Sequence, residues 1–275
     1  MNIEDYNREA WDAEVSRGNI WTKPVDSRTV EDARRGEWSI LLTPVKRAPT
    51  EWFPEPMYGV RVLCLASGGG QQGPIFAAAG GVVTVFDNSE KQLESDRMVA
   101  RRENLDIESV QGDMRDLSVF ADESFDLIVH PVSNCFVPDI LPVWKEAYRV
   151  LTPGGSLLSG FIKPFIYMFD QEAYDNGVLA VRHPIPYSAP DHLPRRLLEQ
   201  YLAEKEPLEF SHTLEEQIQG QIDAGFVITG MYEDTAGGEE LMDKYMPIFI
   251  ATRALKPAAP LADKPPDYID ELEWV

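Results

Sequence analysis

The sequence predicts an α/β fold: an open, mostly parallel sheet with helices on both faces. Three observations carry that expectation. From Val60 onward, short apolar runs alternate with helical patterns, and the connections between them are short. The first run ends in a glycine-rich loop that opens into a helix. The second run, Val82 to Phe86, is β-branched and ends on Asp87.

Taken in order, residues 1–57 are polar and rich in Trp (Trp11, Trp21, Trp38, Trp52). A helix is expected over 4–17, after which Pro24, Pro44, Pro49, Pro54 and Pro56 break regular structure. The segment reads as an N-terminal cap on a domain spanning 58–256. Within that domain, Val60–Ala66 suits a buried parallel strand, and Gln72–Ala79 a helix with Pro74 in its first turn. Val82–Phe86 is the second strand, and the helix over 89–102 takes Ser89 as its N-cap. Ile107–Gln111 and Phe125–His130 are strands three and four. Ile140–Leu151 is a helix capped by Asp139, and Ser156–Phe161 is strand five.

Residues 163–210 break this rhythm and read as an insertion rich in Pro and aromatics. Thr213-Leu-Glu-Glu216 is a capping box, followed by Leu214, Ile218 and Ile222 at helical spacing and by Gly225 as a stop. Phe226–Tyr232 and Tyr245–Arg253 are the last two strands. Residues 257–275 form a Pro-rich acidic tail, in which Tyr268, Leu272 and Trp274 are the side chains able to dock.

The chain of 275 residues carries 46 acidic against 25 basic side chains, a net charge of −21. Binding a polyanion needs clustered Lys and Arg, so nucleic acid and anionic membrane surfaces are disfavoured. A small neutral or cationic molecule suits this charge better, although a charged surface also serves solubility alone. The first residues lack a basic and apolar leader, and no run has the ~18 apolar residues of a membrane helix. Two cysteines make no disulfide framework, and four histidines show no metal spacing. The expectation is a cytoplasmic, metal-free chain.

The loop Ala66-Ser-Gly-Gly-Gly-Gln-Gln-Gly73 allows close backbone approach to a ligand at a helix N-terminus. Gly68, Gly70 and Gly73 match G-x-G-x-x-G, and Asp87 follows about 20 residues on, as in a dinucleotide fold. A tight turn with no ligand is the plainer alternative. The later motifs Gly112-Asp113-Met114, Phe125-Asp-Leu-Ile128 and Leu151-Thr-Pro-Gly-Gly155 add to this set.

With these motifs the chain resembles the class I S-adenosylmethionine-dependent methyltransferases, well over 58–162 and more loosely over 211–256. The resemblance implies a Rossmann-like fold with seven strands in the order 3-2-1-4-5-7-6, the last antiparallel. It implies S-adenosylmethionine as cofactor. Ala66, Ser67, Gly68 and Gly70 would cradle its methionine part, with Gln71 beside them. Asp87 would hold the ribose hydroxyls. Asn88 would lie beside the adenine, with Gln92 in the same set. Asp113 would accept from the adenine amino group, and Met114 would pack on the ring. His130 and Pro131 would line the methyl-transfer side. Two positions depart from the family pattern: Cys64 stands where an acid is usual, and Ala66 where the first glycine is usual. Gln71, Gln72 or the N-terminal segment is expected to compensate.

Methyl transfer from a sulfonium is a direct in-line displacement, so the protein aligns the reactants, excludes water and in some cases takes a proton. His130 is the candidate base, or else a wall of the pocket. His183 and His192 read as surface or packing residues. Trp11, Trp21, Phe165, Tyr167, Phe169 and Tyr174 would bind a flat or cationic substrate or pack the cap onto the core. Glu14, Glu37 and Asp170 are expected to be solvated. The leading reading is methyl transfer to a small molecule. The alternatives are an NAD(P)-dependent oxidoreductase using the same loop and a non-catalytic adenosyl-ligand-binding protein.

Overall fold

The computed structural model describes residues 2–259, so Tyr268, Leu272 and Trp274 of the tail lie outside the described residues. Seven strands form one sheet: β1 (Arg61–Leu65), β2 (Val82–Asp87), β3 (Ile107–Gln111), β4 (Phe125–His130), β5 (Leu151–Ile162), β6 (Val227–Asp234) and β7 (Phe249–Leu255). Their order is β3-β2-β1-β4-β5-β7-β6. The first five strands run parallel, and β7 is antiparallel to both β5 and β6. This is the order implied by the resemblance.

The helices are α1 (Ile3–Arg17), α2 (Ser27–Arg34), α3 (Gln72–Ala78), α4 (Glu90–Glu103), α5 (Leu141–Val150), α6 (Gln171–Asp175), α7 (Ala189–His192), α8 (Arg195–Glu204) and α9 (Gly220–Asp223). Ser89 caps α4 by accepting from Gln92 N–H. Asp139 accepts from Leu141 N–H at the start of α5.

Alternation along β1 divides the core in two. Val62 and Cys64 face a cluster containing Phe76, Val85 and Leu93, completed by Ile40, Leu42, Trp52 and Phe53 of the N-terminal segment. Leu63 and Leu65 face the other cluster, with Phe86, Trp144, Leu157 and Phe226. Burial on both faces explains why these strands read as continuous apolar runs. The N-terminal segment lies directly on β5. A Cβ at Gly160 would stand 1.9 Å from the Leu42 carbonyl oxygen, so only glycine fits there.

Two expectations are corrected. β5 begins at Leu151 and β7 at Phe249, because Leu151 pairs with Phe125 before a bulge and Leu241–Lys244 forms a 3-10 turn. The Thr213–Glu216 capping box forms in both directions, but a π-type turn over Glu215–Gln219 follows it. The buried positions there are Gln217, Gly220 and Gln221, while Ile222 is 42% exposed. Polar bonds override the apolar spacing. Gln217 Oε1 accepts from Asn134, Gln221 Oε1 accepts from Thr252 Oγ1, and Gly220 sits against Trp144 too closely for a side chain.

Candidate functional site

The register brings the ends of β1, β2 and β4 to one edge of the sheet, where α/β folds bind ligands. A cavity of about 950 Å³ opens there. Its floor is the loop after β1, the Asp87–Asn88 tip of β2, Gln92 of α4 and residues 112–115 after β3. Trp11 and Glu14 of α1, Trp21, and Leu41 to Val45 cover it. The loop after β4 and Glu206, Glu209, Glu239 and Glu240 form the far wall.

The loop turns sharply, with φ of +46° at Ala66, +104° at Gly69 and +72° at Gly70. A Cβ at Gly68 would lie 2.7 Å from the Gln92 Cβ. Asp87 Oδ2 accepts from Gly68 N–H at 2.9 Å and its Oδ1 from Ser89 N–H at 2.9 Å. Burial pushes the Asp87 carboxyl up to about 6, against those two hydrogen bonds.

A second carboxylate supports the loop, and sequence reasoning missed it. Asp96 of α4 has no exposed surface, and its Oδ2 accepts from Gly69 N–H at 2.9 Å. Burial pushes Asp96 up to about 7. The available signal was its place in the buried stripe Leu93–Asp96–Val99 of α4, where a carboxylate is out of character. Gln71 Nε2 donates to Lys23 O at 3.1 Å, Val25 N–H donates to Gly70 O at 2.9 Å, and Ser67 Oγ donates to Gln72 Oε1 at 3.1 Å. The expected compensators therefore tie the loop to residues 20–25 and to its own helix.

Of the residues singled out for a cofactor, Ala66, Ser67, Gly68, Gln71, Asp87, Asn88, Gln92, Asp113, Met114 and Pro131 line the cavity. Gly70 does not. A Cβ there would meet Pro24, Ser95 and Val99, so this glycine serves the seat of the loop on α4 and the N-terminal segment. Asn88 Nδ2 donates to Glu4 O at 3.0 Å. Asp113 is gripped by Arg115, whose Nε lies 3.0 and 2.9 Å from its two oxygens. Met114 packs with Phe86 and Leu117.

His130 is also absent from the lining, and this corrects its reading as base or pocket wall. It is 0% exposed. Both ring nitrogens face oxygens, Nδ1 with Leu65 O at 2.9 Å and Nε2 with Asn134 Oδ1. Burial lowers its pKa, against those two hydrogen bonds. Asn134 continues to Gln217 at 2.9 Å and, through its carbonyl, to His212 Nε2 at 3.0 Å. His130 is an internal strut between the ends of β1 and β4.

The polar groups on the far wall are different ones. Glu209 lines the cavity, and Tyr167 O–H donates to its Oε2 at 2.8 Å. Phe210 N–H donates to Cys135 O at 2.7 Å, pinning this segment to the loop after β4. Burial raises the Glu209 carboxyl above its ordinary value, against the Tyr167 bond, and Glu240 adds to the shift. Asn7 joins the same parts from above: its Nδ2 donates to Phe136 O at 2.8 Å and to Leu208 O at 3.0 Å, and its Oδ1 accepts from Leu208 N–H at 2.8 Å.

Among the aromatics, Trp11 and Trp21 line the cavity, and Trp11 meets Phe136 edge-on at 4.9 Å. Phe165, Tyr167, Phe169 and Tyr174 do not line it; Tyr167 stacks on Tyr187, and Phe169 packs on Tyr174. Glu14 is 8% exposed rather than solvated, because Arg17 and Asn19 hold its carboxylate. Asp170 caps α6 and pairs with Arg182. Glu37 is exposed. His183 and His192 pack around Tyr187. Among the described residues no cluster of His, Cys, Asp or Glu is placed to hold a metal, and no helix is long and apolar enough to cross a membrane.

Comparison with known proteins bears on this geometry. The profile of the methyltransferase domain family matches residues 63–159. The chain is 55% identical to the uncharacterized methyltransferase YbaJ of Bacillus subtilis over 251 residues, covering 91% of this chain and 97% of that one. In structure it is similar to an S-adenosylmethionine dependent methyltransferase from Mesorhizobium loti, with a TM-score of 0.55 and 22% identity over 74% of this chain and 94% of the other. The [4+2]-cyclase SpnF matches with a TM-score of 0.51 and 18% identity, over 74% of this chain and 76% of that one. At such identities these structures share the fold alone.

Proposed function

The chain belongs to the class I S-adenosylmethionine-dependent methyltransferases, and from that membership we propose that it methylates a small molecule held between the glycine loop and Glu209. The family implies S-adenosylmethionine as cofactor, and the residues present fit it. Asp87 faces the cavity with lone pairs left over after its two amide bonds, as a ribose diol requires. Ala66, Ser67 and Gly68 present backbone where side chains have no room, which suits the methionine end, with Gln71 and Gln92 alongside. Asn88, Asp113 and Met114 suit the adenine, and Pro131 stands at the start of the acceptor side.

When bound, the cofactor supplies a methyl group activated on sulfonium. The rest falls to the chain. Trp11 and Trp21 cover the cavity and limit water. Glu209 takes the acceptor's proton on Oε1, because Tyr167 holds Oε2. Its raised pKa brings it closer to the match that a base at neutral pH needs. Glu206, Glu209, Glu239 and Glu240 line the cavity, whose cations are Lys23 and Arg115, the latter held by Asp113, so an amine or hydroxyl acceptor suits it better than an anion.

One observation carries this reading: Asp87 and Glu209 line the same cavity, which is the size of a cofactor plus a small acceptor. The antiparallel β7 inserted between β5 and β6 weighs against the dinucleotide alternative. The test is release of S-adenosylhomocysteine from S-adenosylmethionine over a panel of low-mass amines and alcohols, with bulk RNA and unfolded protein alongside. Turnover with a low-mass acceptor is expected. Turnover confined to the macromolecules overturns the proposal.

A further inference from the structure

Strand β1 offers no carboxylate to the loop that follows it, because Cys64 occupies the position facing α4 and its thiol is buried there. The loop nonetheless holds a strained course, with positive φ at Ala66, Gly69 and Gly70. Such a course persists only where its surroundings fix it. Residues 20–25 hold its outer side, as described above. The inner side is held from α4 by Asp96 and by Gln92 O, which also accepts from Gly69 N–H at 3.1 Å, together with Asp87 from β2.

Asp96 is placed for this task and for no other on view. It is fully buried, and its Oδ2 accepts from Gly69 N–H at 2.9 Å. Its Oδ1 has no hydrogen-bond partner and lies against the first turn of α3, where a Cβ at Gly73 would be 3.2 Å away. Asp96 therefore touches both the loop and the start of the helix that the loop enters. The ionisable groups around it are Asp87 on β2, Cys64 on β1 and Arg97 on its own helix; α3 contributes none. A buried carboxyl with so little charge compensation costs stability, so its retention in the apolar stripe of α4 calls for a function.

We infer that Asp96 is a positioning residue for cofactor binding: it fixes the Gly69–Gly70 turn so that Ala66 to Gly68 present their backbone to the cavity. The role stands on the far side of the loop from the cofactor, so Asp96 acts through the loop and not by contact. It holds for any adenosyl ligand and does not depend on which acceptor is methylated.

Two readouts test it. In the ligand-free protein labelled with ¹⁵N-glycine, the Gly69 amide should be protected from hydrogen exchange by at least tenfold over a free glycine. Calorimetry with S-adenosylhomocysteine should show Asp96→Leu weakened by about tenfold or more, while Asp96→Asn, which keeps an acceptor for Gly69 N–H, stays within about threefold of wild type. Rescue by Asn and not by Leu separates loop positioning from mere core filling, since Leu fills the core as well. Equal affinity of Asp96→Leu and wild type, or Asn as weak as Leu, overturns the inference. If Asp96→Leu does not fold, the Gly69 amide decides: fast exchange in wild type overturns the role. If wild type binds no S-adenosylhomocysteine, the cofactor assignment fails, and Gly69 exchange compared between wild type and Asp96→Leu decides on Asp96 as the brace of the loop: because Gln92 O shares that amide, only faster exchange in the variant supports the role, and equal exchange overturns it.

Discussion

Asp87 and Asp96 reach the glycine loop from different elements and take neighbouring amides, Gly68 N–H and Gly69 N–H, each at 2.9 Å. The two differ in what else they can do. Asp87 opens onto the cavity, whereas Asp96 is sealed behind the loop. One carboxylate is available to a ligand and the other is not.

Asp87→Ala should therefore weaken S-adenosylhomocysteine binding by about 1–3 kcal/mol, the scale of lost charge-assisted hydrogen bonds. Calorimetry at pH 8, where Asp87 is ionised, reads this directly. An unchanged affinity would remove Asp87 from the site.

The same pair predicts how stability varies with pH. Both carboxyls are raised above their ordinary value of 3.8, to about 6 and about 7. Between pH 4 and 7 the folded state thus binds more protons than the unfolded one. Their contribution is fully present below about pH 4 and is lost as pH rises through 6 to 7. Urea midpoints at pH 5.5 and 8 should show wild type losing more over this interval than Asp96→Asn. Parallel losses would contradict the burial of Asp96.

Much of this architecture is legible in the sequence, and the misses have physical causes. The runs at Val60, Val82 and Phe125 announce β1, β2 and β4 because strands buried on both faces admit little but apolar residues. Ser89 and the Thr213–Glu216 box are legible because capping is local. The buried face of the Gln217–Gln221 turn is not, because its partners Asn134 and Thr252 are remote in sequence and become adjacent only in the fold. Glu209 is hidden for the same reason, whereas Asp96 showed only as a carboxylate in the apolar stripe of α4. His130 misled the reading of the site because its position at a strand tip suits catalysis, while Leu65 O and Asn134 decide which way its ring points.

His130→Ala should act on stability rather than on the reaction. It leaves Leu65 O and the Asn134 amide without their buried partner, a loss of about 2–4 kcal/mol in urea unfolding. S-adenosylhomocysteine affinity of the folded variant should stay within about threefold. A stable variant with lost turnover would restore His130 to the reaction.

Glu209→Gln should reverse that pattern. With an acceptor from the screen, kcat should fall by about 10² or more, the usual scale for a lost base, while cofactor affinity holds. In wild type, kcat should rise with pH through the Glu209 titration, which lies above its ordinary value, and Glu209→Gln should flatten that limb. Full activity of the variant would leave Glu209 as a lining residue only.

Gly160→Ala tests the seat of the N-terminal segment. The new methyl would stand 1.9 Å from Leu42 O, so the segment must lift or β5 must shift. A loss of more than about 3 kcal/mol is expected, with faster proteolysis between residues 40 and 48. Unchanged stability would mean that the segment does not rest on β5 as described.

The three bonds of Asn7 bear on what counts as a module. The family profile covers residues 63–159, yet Asn7 stitches α1 to Phe136 and Leu208, which lie on opposite sides of the boundary at 159. The piece that the profile covers holds the residues suited to the cofactor and the loop after β4, while Trp11, Trp21 and Glu209 of the cavity lining come from the two flanks. Swapping the flanks between relatives as a matched pair, with Asn7 and Leu208 kept together, is the unit of exchange that the hydrogen bonding defines.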